Sequence, residues 1–397
     1  MRKAFSMNKL GDYINIKTGK RDANEACSNG GYPFFTCAKE PSRIDFWSFD
    51  CECVLVAGNC NPHVSYYNGK FNAYQRVYVI QSRDKKLLNI KYLYYFLKKY
   101  MTLVLDKQRG AIEKFFCLDD FTDIKIHLPD LPTQLRIAAI LGSIDEKIEL
   151  NRKKIAELEA LAKTIYDYWF VQFDFPDKNG KPYKSSGGKM VWNEQLKREI
   201  PEGWEAGTVG ELGEIVAGGT PSTDNPSYWS QDGIAWITPK DLSLTNNKYI
   251  RHGEHDISEE GLRNSSAQLM PSRSVLLSTR APIGYIAIAD CDICTNQGFK
   301  SIVPNGNYGS EFIYYSLSAL IPYIKTLGVG STFAEVSKSA LSVVQLVFPM
   351  KEIVMQFENV ASQIGNSRRI CELATEKLIR LRDTLLPLLM NGQVEVK

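Results

Sequence analysis

The 397-residue sequence has no apolar run able to cross a bilayer: the longest, Ala281–Ala289, falls well short of the roughly 20 residues a spanning helix needs. The opening Met1–Leu10 carries basic residues but not the apolar core of a secretory signal. Neither a membrane span nor an exported protein is expected, and the expected location is cytoplasmic. Nine cysteines, an odd number spread along the chain, read as reduced thiols rather than a disulfide framework. Decisive charge is also missing, because 48 Lys/Arg against 45 Asp/Glu leave only +3. Net charge therefore does not announce a nucleic-acid partner.

The loops of several enzyme classes are absent too. An adenine methyltransferase needs an Asn/Asp-Pro-Pro-aromatic loop, and Asn61-Pro62-His63-Val64 lacks the second proline and the aromatic. No Gly-x-Gly-x-x-Gly turn is present, and Ser185-Ser186-Gly187-Gly188-Lys189-Met190 has neither the spacing nor the hydroxyl of a phosphate loop. Pro129-Asp130 followed by Asp145-Glu146-Lys147 superficially fits a magnesium nuclease, but Asp145 and Lys147 fall on the polar face of a helix. His252 with His255 and Cys291 with Cys294 have zinc-like spacing. The cysteines follow an apolar strand and the histidines sit in a polar loop, so a packing role is expected, as for Cys51, Cys53 and Cys60. Neither a catalytic residue nor a metal or cofactor is expected in this chain.

What the chain does contain is a repeat. Leu93-Tyr94-Tyr95-Phe96-Leu97 matches Ile313-Tyr314-Tyr315-Ser316-Leu317, and the same offset of 220 superposes Gly110 on Gly330, Phe121 on Leu341, Ile126 on Leu346 and Pro129 on Pro349. Further on, Asn151–Leu158 matches Asn366–Leu373 at an offset of 215. Near the starts, Leu10-Gly11-Asp12 echoes Leu212-Gly213-Glu214, and Val54-Leu55-Val56 echoes Val275-Leu276-Leu277.

Each half begins with strand-length apolar runs separated by turn residues: Cys53–Ala57, Arg76–Ile80, Ser274–Ser278, Gly284–Ala289 and Val343–Phe348. A short helix is expected over Ile90–Lys99 and over Glu311–Leu320. The fold class is α/β of the mixed α+β kind, without the alternation of a doubly wound sheet. Two similar domains are expected over residues 1–132 and 208–348, a central helix over 133–173, a linker over 174–207, and a second helix with its tail over 349–397. The linker assignment follows turn chemistry such as Phe175-Pro176-Asp177 and Ser185-Ser186-Gly187-Gly188.

Both tails carry a heptad seam. In the first, a positions are Leu141, Ile148, Ile155, Ala162 and Trp169, and d positions Ile144, Asn151, Leu158 and Ile165. In the second, Phe357, Ile364, Cys371, Leu378 and Leu385 take a, with Val360, Ser367, Ala374, Leu381 and Leu388 at d. Asn151 and Ser367 are the polar interruptions that would fix register. Such a stripe could lie on its own domain, but a seam of this length present twice predicts two long antiparallel helices paired as a coiled coil in a pseudo-two-fold repeat.

With these features the chain resembles the specificity subunit of type I restriction-modification systems. The residues that carry the resemblance are Gly218-Gly219-Thr220-Pro221-Ser222, Tyr228-Trp229, Trp236-Ile237-Thr238-Pro239-Lys240-Asp241, Ser278-Thr279-Arg280-Ala281-Pro282-Ile283-Gly284, Thr295-Asn296-Gln297-Gly298-Phe299 and Gly330-Ser331-Thr332-Phe333. Tyr168–Phe173 and Pro201–Trp204 bracket the linker. In the first half Thr18-Gly19-Lys20-Arg21 and Tyr74-Gln75-Arg76 stand in the corresponding places. The resemblance implies two target-recognition domains separated by the paired helices, each reading one half of a split double-stranded DNA sequence. It also implies docking of two methyltransferase subunits and of restriction/motor subunits, with S-adenosylmethionine, ATP and magnesium on those partners. Two other readings stay open: a coiled-coil adaptor whose domains no longer read DNA, and the specificity subunit of a related fused methyltransferase-nuclease system.

Dividing the charge revises its meaning: residues 1–132 carry 20 basic against 14 acidic side chains, or +6, while 208–348 carry 9 against 13, or −4. DNA reading must then rest on local groups. The candidates are Lys39, Arg43, Asn59, Lys70, Arg76, Lys107 and Arg109 in the first domain, and Thr220, Lys240, Arg280, Asn296, Gln297, Lys300, Ser331 and Thr332 in the second. Arginine can bridge the two acceptors of guanine, and Asn or Gln can pair with adenine. Gly328–Thr332 is suited to wrapping a phosphate. From Leu141 to Trp169 the helix advances roughly 42 Å at ~1.5 Å per residue. That corresponds to a separation on the order of 10 to 13 base pairs between the read segments.

Overall fold

In the computed structural model, residues 8–58, 63–104, 116–245, 247–280, 282–329 and 334–394 are described. The chain folds into two compact units, one of residues 1–150 with 375–397 and the other of residues 151–374.

The first unit is built on a six-stranded sheet in the order Ile14–Thr18, Val77–Ser82, Phe49–Ala57, Val64–Ala73, Tyr32–Phe35, Ser42–Ile44. All neighbours pair antiparallel except Tyr32–Phe35 with Val64–Ala73. The second unit has a five-stranded sheet in the order Gly213–Ala217, Lys300–Pro304, Val275–Leu277, Ile286–Ala289, Tyr249–Ile250. Here too the first four strands are antiparallel and the fifth is parallel to the fourth. The repeat seen in sequence is therefore a repeat of sheet topology. An extra four-stranded sheet, Trp229–Ser230, His255–Ile257, Ile234–Ile237, Ile293–Thr295, distinguishes the second unit.

The helices Ile90–Val104 and Ser310–Thr326 cover the two sheets, and their apolar faces fill the cores. In the first unit Tyr92, Leu93, Tyr95 and Leu97 pack with Val54, Val56 and Ile80. In the second, Phe312, Ile313, Tyr315 and Leu317 pack with Val275, Leu277 and Ile302.

The first long helix spans Leu131–Tyr166 and continues as one wider π turn over Asp167–Val171; the second spans Lys351–Met390. Within the second unit Glu159 meets Arg368, and Tyr166 and Trp169 meet Phe357, so the two helices run antiparallel there. On the first helix the expected seam is inward: Leu141, Ile144, Ile148 and Ala162 are buried. On the second, the a positions Phe357 and Cys371 are buried, but the d positions are not, since Val360, Ser367 and Leu381 are exposed. The interior places fall one residue later, at Ala361, Arg368 and Thr375. Ser367 is thus not a register residue of the seam; its hydroxyl donates to Gln363 O of its own helix at 3.0 Å. The shift has a physical cause, because this helix buries an ionic layer that an apolar pattern cannot reveal. Asn151, the other expected register residue, is half-buried.

Residues 174–207 are folded rather than an open linker. Phe175 stacks on Tyr183 and on Trp204, Asp174 accepts from the Ser185 amide at 2.7 Å, and Met190–Asn193 and Arg198–Pro201 form a hairpin. No described helix is long and apolar enough to cross a membrane.

Candidate nucleic-acid interface

In the second unit the loops singled out in sequence converge on one open hollow of about 660 Å³. It is lined by Thr238, Pro239, Lys240, Ser243, Arg280, Pro282, Tyr285 and Asn296–Gly298. Each lining segment is held by local chemistry. Thr238 caps the turn of helix Pro239–Leu244 reciprocally with Asp241: Asp241 Oδ2 accepts from the Thr238 amide at 2.8 Å and from its hydroxyl at 2.6 Å, with Pro239 at the first helical position. The loop 278–285 is tied through Ser278, whose hydroxyl donates to Pro282 O and accepts from the Tyr285 amide, both at 2.8 Å. The Asn296 backbone N–H donates to Ile237 O at 2.9 Å, and its side-chain Oδ1 accepts from Gly298 N at 3.0 Å.

Gly218 explains the glycine pair. Its N–H bonds Phe299 O, and a Cβ there would sit 2.0 Å from Asn296 O. Only a residue without a side chain lets this turn lie against the Asn296-Gln297 loop, where the Thr220 hydroxyl reaches Gln297 Oε1. The first unit repeats the device. Thr18 pairs with Tyr78 as Ala217 pairs with Lys300, and a Cβ on Gly19 would sit 2.1 Å from Ala73 O and 2.2 Å from Tyr74 O. The Thr18–Arg21 turn therefore corresponds to Ala217–Thr220, one residue earlier than the Gly218–Pro221 segment the sequence sets it against, while Tyr74–Arg76 corresponds to Asn296–Gly298 as expected. The Gln75 amide donates to Arg21 O at 2.9 Å across this junction.

The candidate residues are distributed unevenly. Lys240, Arg280, Asn296 and Gln297 line the hollow, with Thr220 bonded to Gln297 at its side. Arg280 is exposed. Lys240 is also exposed, but its ammonium lies 2.6 Å from Glu254, whose hydrogen bond and charge raise the lysine pKa. Asn296 Oδ1 already accepts from Gly298 N, so in a bidentate adenine contact the oxygen would be shared with the turn. Lys300 is buried in its strand with Nζ 3.2 Å from Glu335, and it does not line the hollow. In the first unit Lys39, Arg43, Lys70 and Arg76 are all exposed. Asn59, Lys107, Arg109, Ser331 and Thr332 lie outside the described residues, as does Gly330 of the expected phosphate-wrapping loop.

The zinc-like residues are otherwise engaged. Cys294 is buried beside Trp236 and Ile257, Cys291 Sγ donates to Arg251 O at 3.3 Å, and the His255 ring meets Trp229 edge-on. Among the described residues no group of three or more His, Cys, Asp or Glu is placed to hold a metal.

Sequence reasoning missed the residues that fasten the hollow-bearing domain to the long helices. Glu372 accepts from the backbone amides of Lys248 and Tyr249, while Arg368 bonds Glu372 Oε1 at 2.7 Å and also reaches Glu159. Lys248, fully buried, ion-pairs with Glu311 and lies 4.3 Å and 4.1 Å from the ring centres of Tyr314 and Tyr315. Burial lowers the Lys248 pKa against the opposing charge of Glu311. The Tyr314-Tyr315 repeat was the available signal, but it points to a helix and not to what the helix holds.

Comparison with known proteins agrees with this architecture. The family model for the type I restriction modification DNA specificity domain matches residues 3–160 and again 201–369. The chain is 38% identical over 180 residues to the type I restriction enzyme MjaIX specificity subunit of Methanocaldococcus jannaschii, covering 44% of this chain and 41% of that one. It is 37% identical over 295 residues to the EcoDI specificity subunit of Escherichia coli, covering 71% and 64%. The chain thus spans less than two thirds of the length of either relative. The crystal structure of a type I restriction-modification S subunit from M. genitalium has the same fold, with a TM-score of 0.66 over 98% of both chains at 16% identity.

Proposed function

Because the chain belongs to the type I restriction modification DNA specificity family, whose domain it carries twice, we propose that it is the DNA-recognition subunit of a restriction-modification complex. It reads a two-part double-stranded target, one part with each domain, and itself performs no chemistry. Two methyltransferase subunits and the restriction/motor subunits dock on it and supply S-adenosylmethionine, ATP and magnesium. The observation that carries the reading is the loop cluster built twice around a glycine that only backbone can approach, Gly19 and Gly218. In the second unit that cluster presents Lys240, Arg280, Asn296 and Gln297 together.

Arg280 has the planar fork that distinguishes guanine, and the Asn296 amide nitrogen can donate to a base acceptor. The acidic balance of residues 208–348 means that this domain discriminates with a few groups. Most phosphate neutralisation falls to the basic first domain and to partners. The long helices set the unread gap between the two parts.

The test is co-purification with an adenine methyltransferase subunit followed by mapping of methylated adenines. Two short specified blocks separated by an unspecified gap are expected. Methylation with no motif would instead support an adaptor that does not read DNA.

A further inference from the structure

Phe46 and Trp47 stand in the short connection between strands Ser42–Ile44 and Phe49–Ala57 of the first unit, 39% and 43% exposed. A single exposed ring is ordinary, but these are two in succession and each carries a cation on its face. The Arg21 guanidinium lies 4.6 Å from the Phe46 ring centre, and the Lys70 ammonium 4.8 Å from that of Trp47. The backbone beneath is fixed, since the Ser48 amide donates to Phe71 O at 3.1 Å and the buried Asn72 side chain reaches Phe46 O at 3.5 Å.

The position of Arg21 gives the pair its meaning. Arg21 closes the Thr18–Arg21 turn against Tyr74-Gln75, the counterpart of the turn that lies beside the hollow of the second unit. The aromatic pair therefore borders the first unit's version of the same loop cluster. Its chemistry is not that of a phosphate site. Glu25 lies 3.6 Å from Arg21, Asp45 and Asp50 flank the rings in sequence, and Asp50 is the cross-strand neighbour of Lys70. The local acids offset the local cations, and what remains is the exposed part of two aromatic rings, each held by its cation. Such a surface fits the face of a base better than the DNA backbone.

We propose that Phe46 and Trp47 form an aromatic wedge that stacks on a base step of the half-target read by the first unit. The inference rests on the DNA-reading function above. Stacking on a partly opened step discriminates by the ease with which that step deforms, so it adds specificity without a hydrogen bond to a base edge.

The experiment uses the full chain in complex with its methyltransferase subunit and duplexes carrying 2-aminopurine at successive positions of the methylation-mapped target other than the methylated adenines, which a methyltransferase itself turns out of the stack. The wild-type complex is expected to raise the fluorescence at one step of one half-target. Phe46→Ala and Trp47→Ala abolish that rise and weaken target binding about tenfold or more. They leave binding to unrelated DNA and its salt dependence unchanged, because no phosphate contact is lost. Trp47→Phe, which keeps a ring, retains the rise. Alanine variants that bind the target as wild type does, or that keep the fluorescence rise, overturn the wedge while leaving DNA reading intact. A wild-type complex that does not distinguish target from unrelated DNA overturns both.

Discussion

The Tyr95 hydroxyl donates to Asp145 Oδ2 at 2.9 Å, joining the domain helix of the first unit to the first long helix. Asp145 is held from its other side by Arg382 of the second long helix, at 3.0 Å. In the second unit Tyr315, the repeat mate of Tyr95, donates to Glu159 at 3.0 Å, and Glu159 is held in turn by Arg368. In both units a tyrosine from the domain, an acid from the first long helix and an arginine from the second form one chain of charge-assisted hydrogen bonds. Burial, then the neighbouring carboxylates, raise the pKa of both phenols, so they remain donors at neutral pH. The sequence repeat would put the second acid on the second long helix; it stands on the first in both units, so the anchor recurs although its residues are not copies.

Arg368 tests this anchor most severely. It is buried, and it neutralises Glu372, which is buried as well. Arg368→Met should lower stability by about 3–5 kcal/mol, read from the urea midpoint, because it strands a buried carboxylate. Exposed Ser367→Ala should stay within about 0.5 kcal/mol. Burial already raises the Glu372 pKa, and losing the arginine raises it further. An acid with a raised folded pKa loses stabilisation as pH rises through that value, so the deficit of the variant should be larger at pH 8 than at pH 5. Equal deficits for Arg368→Met and Ser367→Ala would restore the seam register expected from sequence.

In the hollow, Arg280→Ala should cost about 1–3 kcal/mol of discrimination at one base position and relax the target there alone, as read by methylation mapping. Lys240→Ala should weaken binding to all sequences alike and flatten its salt dependence. A uniform loss from Arg280→Ala would make it a phosphate contact instead.

The two tight glycines offer a matched pair. A Cβ on Gly19 or Gly218 meets backbone oxygen near 2 Å, so alanine at either must displace its loop. Gly19→Ala should degrade reading of one half-target and Gly218→Ala the other. Loss of both halves from either variant would mean that the loops act globally.

Much of this was legible because it rests on apolar periodicity and turn chemistry. The strands around Val54 and Val275, the helices holding Tyr95 and Tyr315, and the inward face of the first long helix follow the pattern read from sequence. On the second long helix the a positions Phe357 and Cys371 fell where expected but the d positions were off by one residue, since the interior Arg368, Glu372 and Thr375 are polar and read as surface. Residues 174–207 looked like a linker because Pro, Gly and Ser mark turns equally in mobile and in packed chain; the aromatic stack of Phe175, Tyr183 and Trp204 decides which this is. Of the proposed DNA face, residue type was readable but its other commitments were not: Lys300 is tied to Glu335 and Lys240 to Glu254.

Cys294 checks the core it forms with Trp236, Ile257 and Ala267. Burial pushes its thiol pKa up to about 12, so at pH 8 almost none is thiolate. It should resist alkylation in the folded protein and react once urea unfolds the second unit, as followed by peptide mass spectrometry. Rapid native labelling at Cys294 would contradict the packing described.

The most direct test of two independent reading units is to exchange residues 208–348 for those of a relative with a different target and to map methylated adenines in cells carrying the hybrid complex. One half of the motif should change to that of the relative, while the other half keeps its bases. A change in both halves, or in neither, would contradict the account.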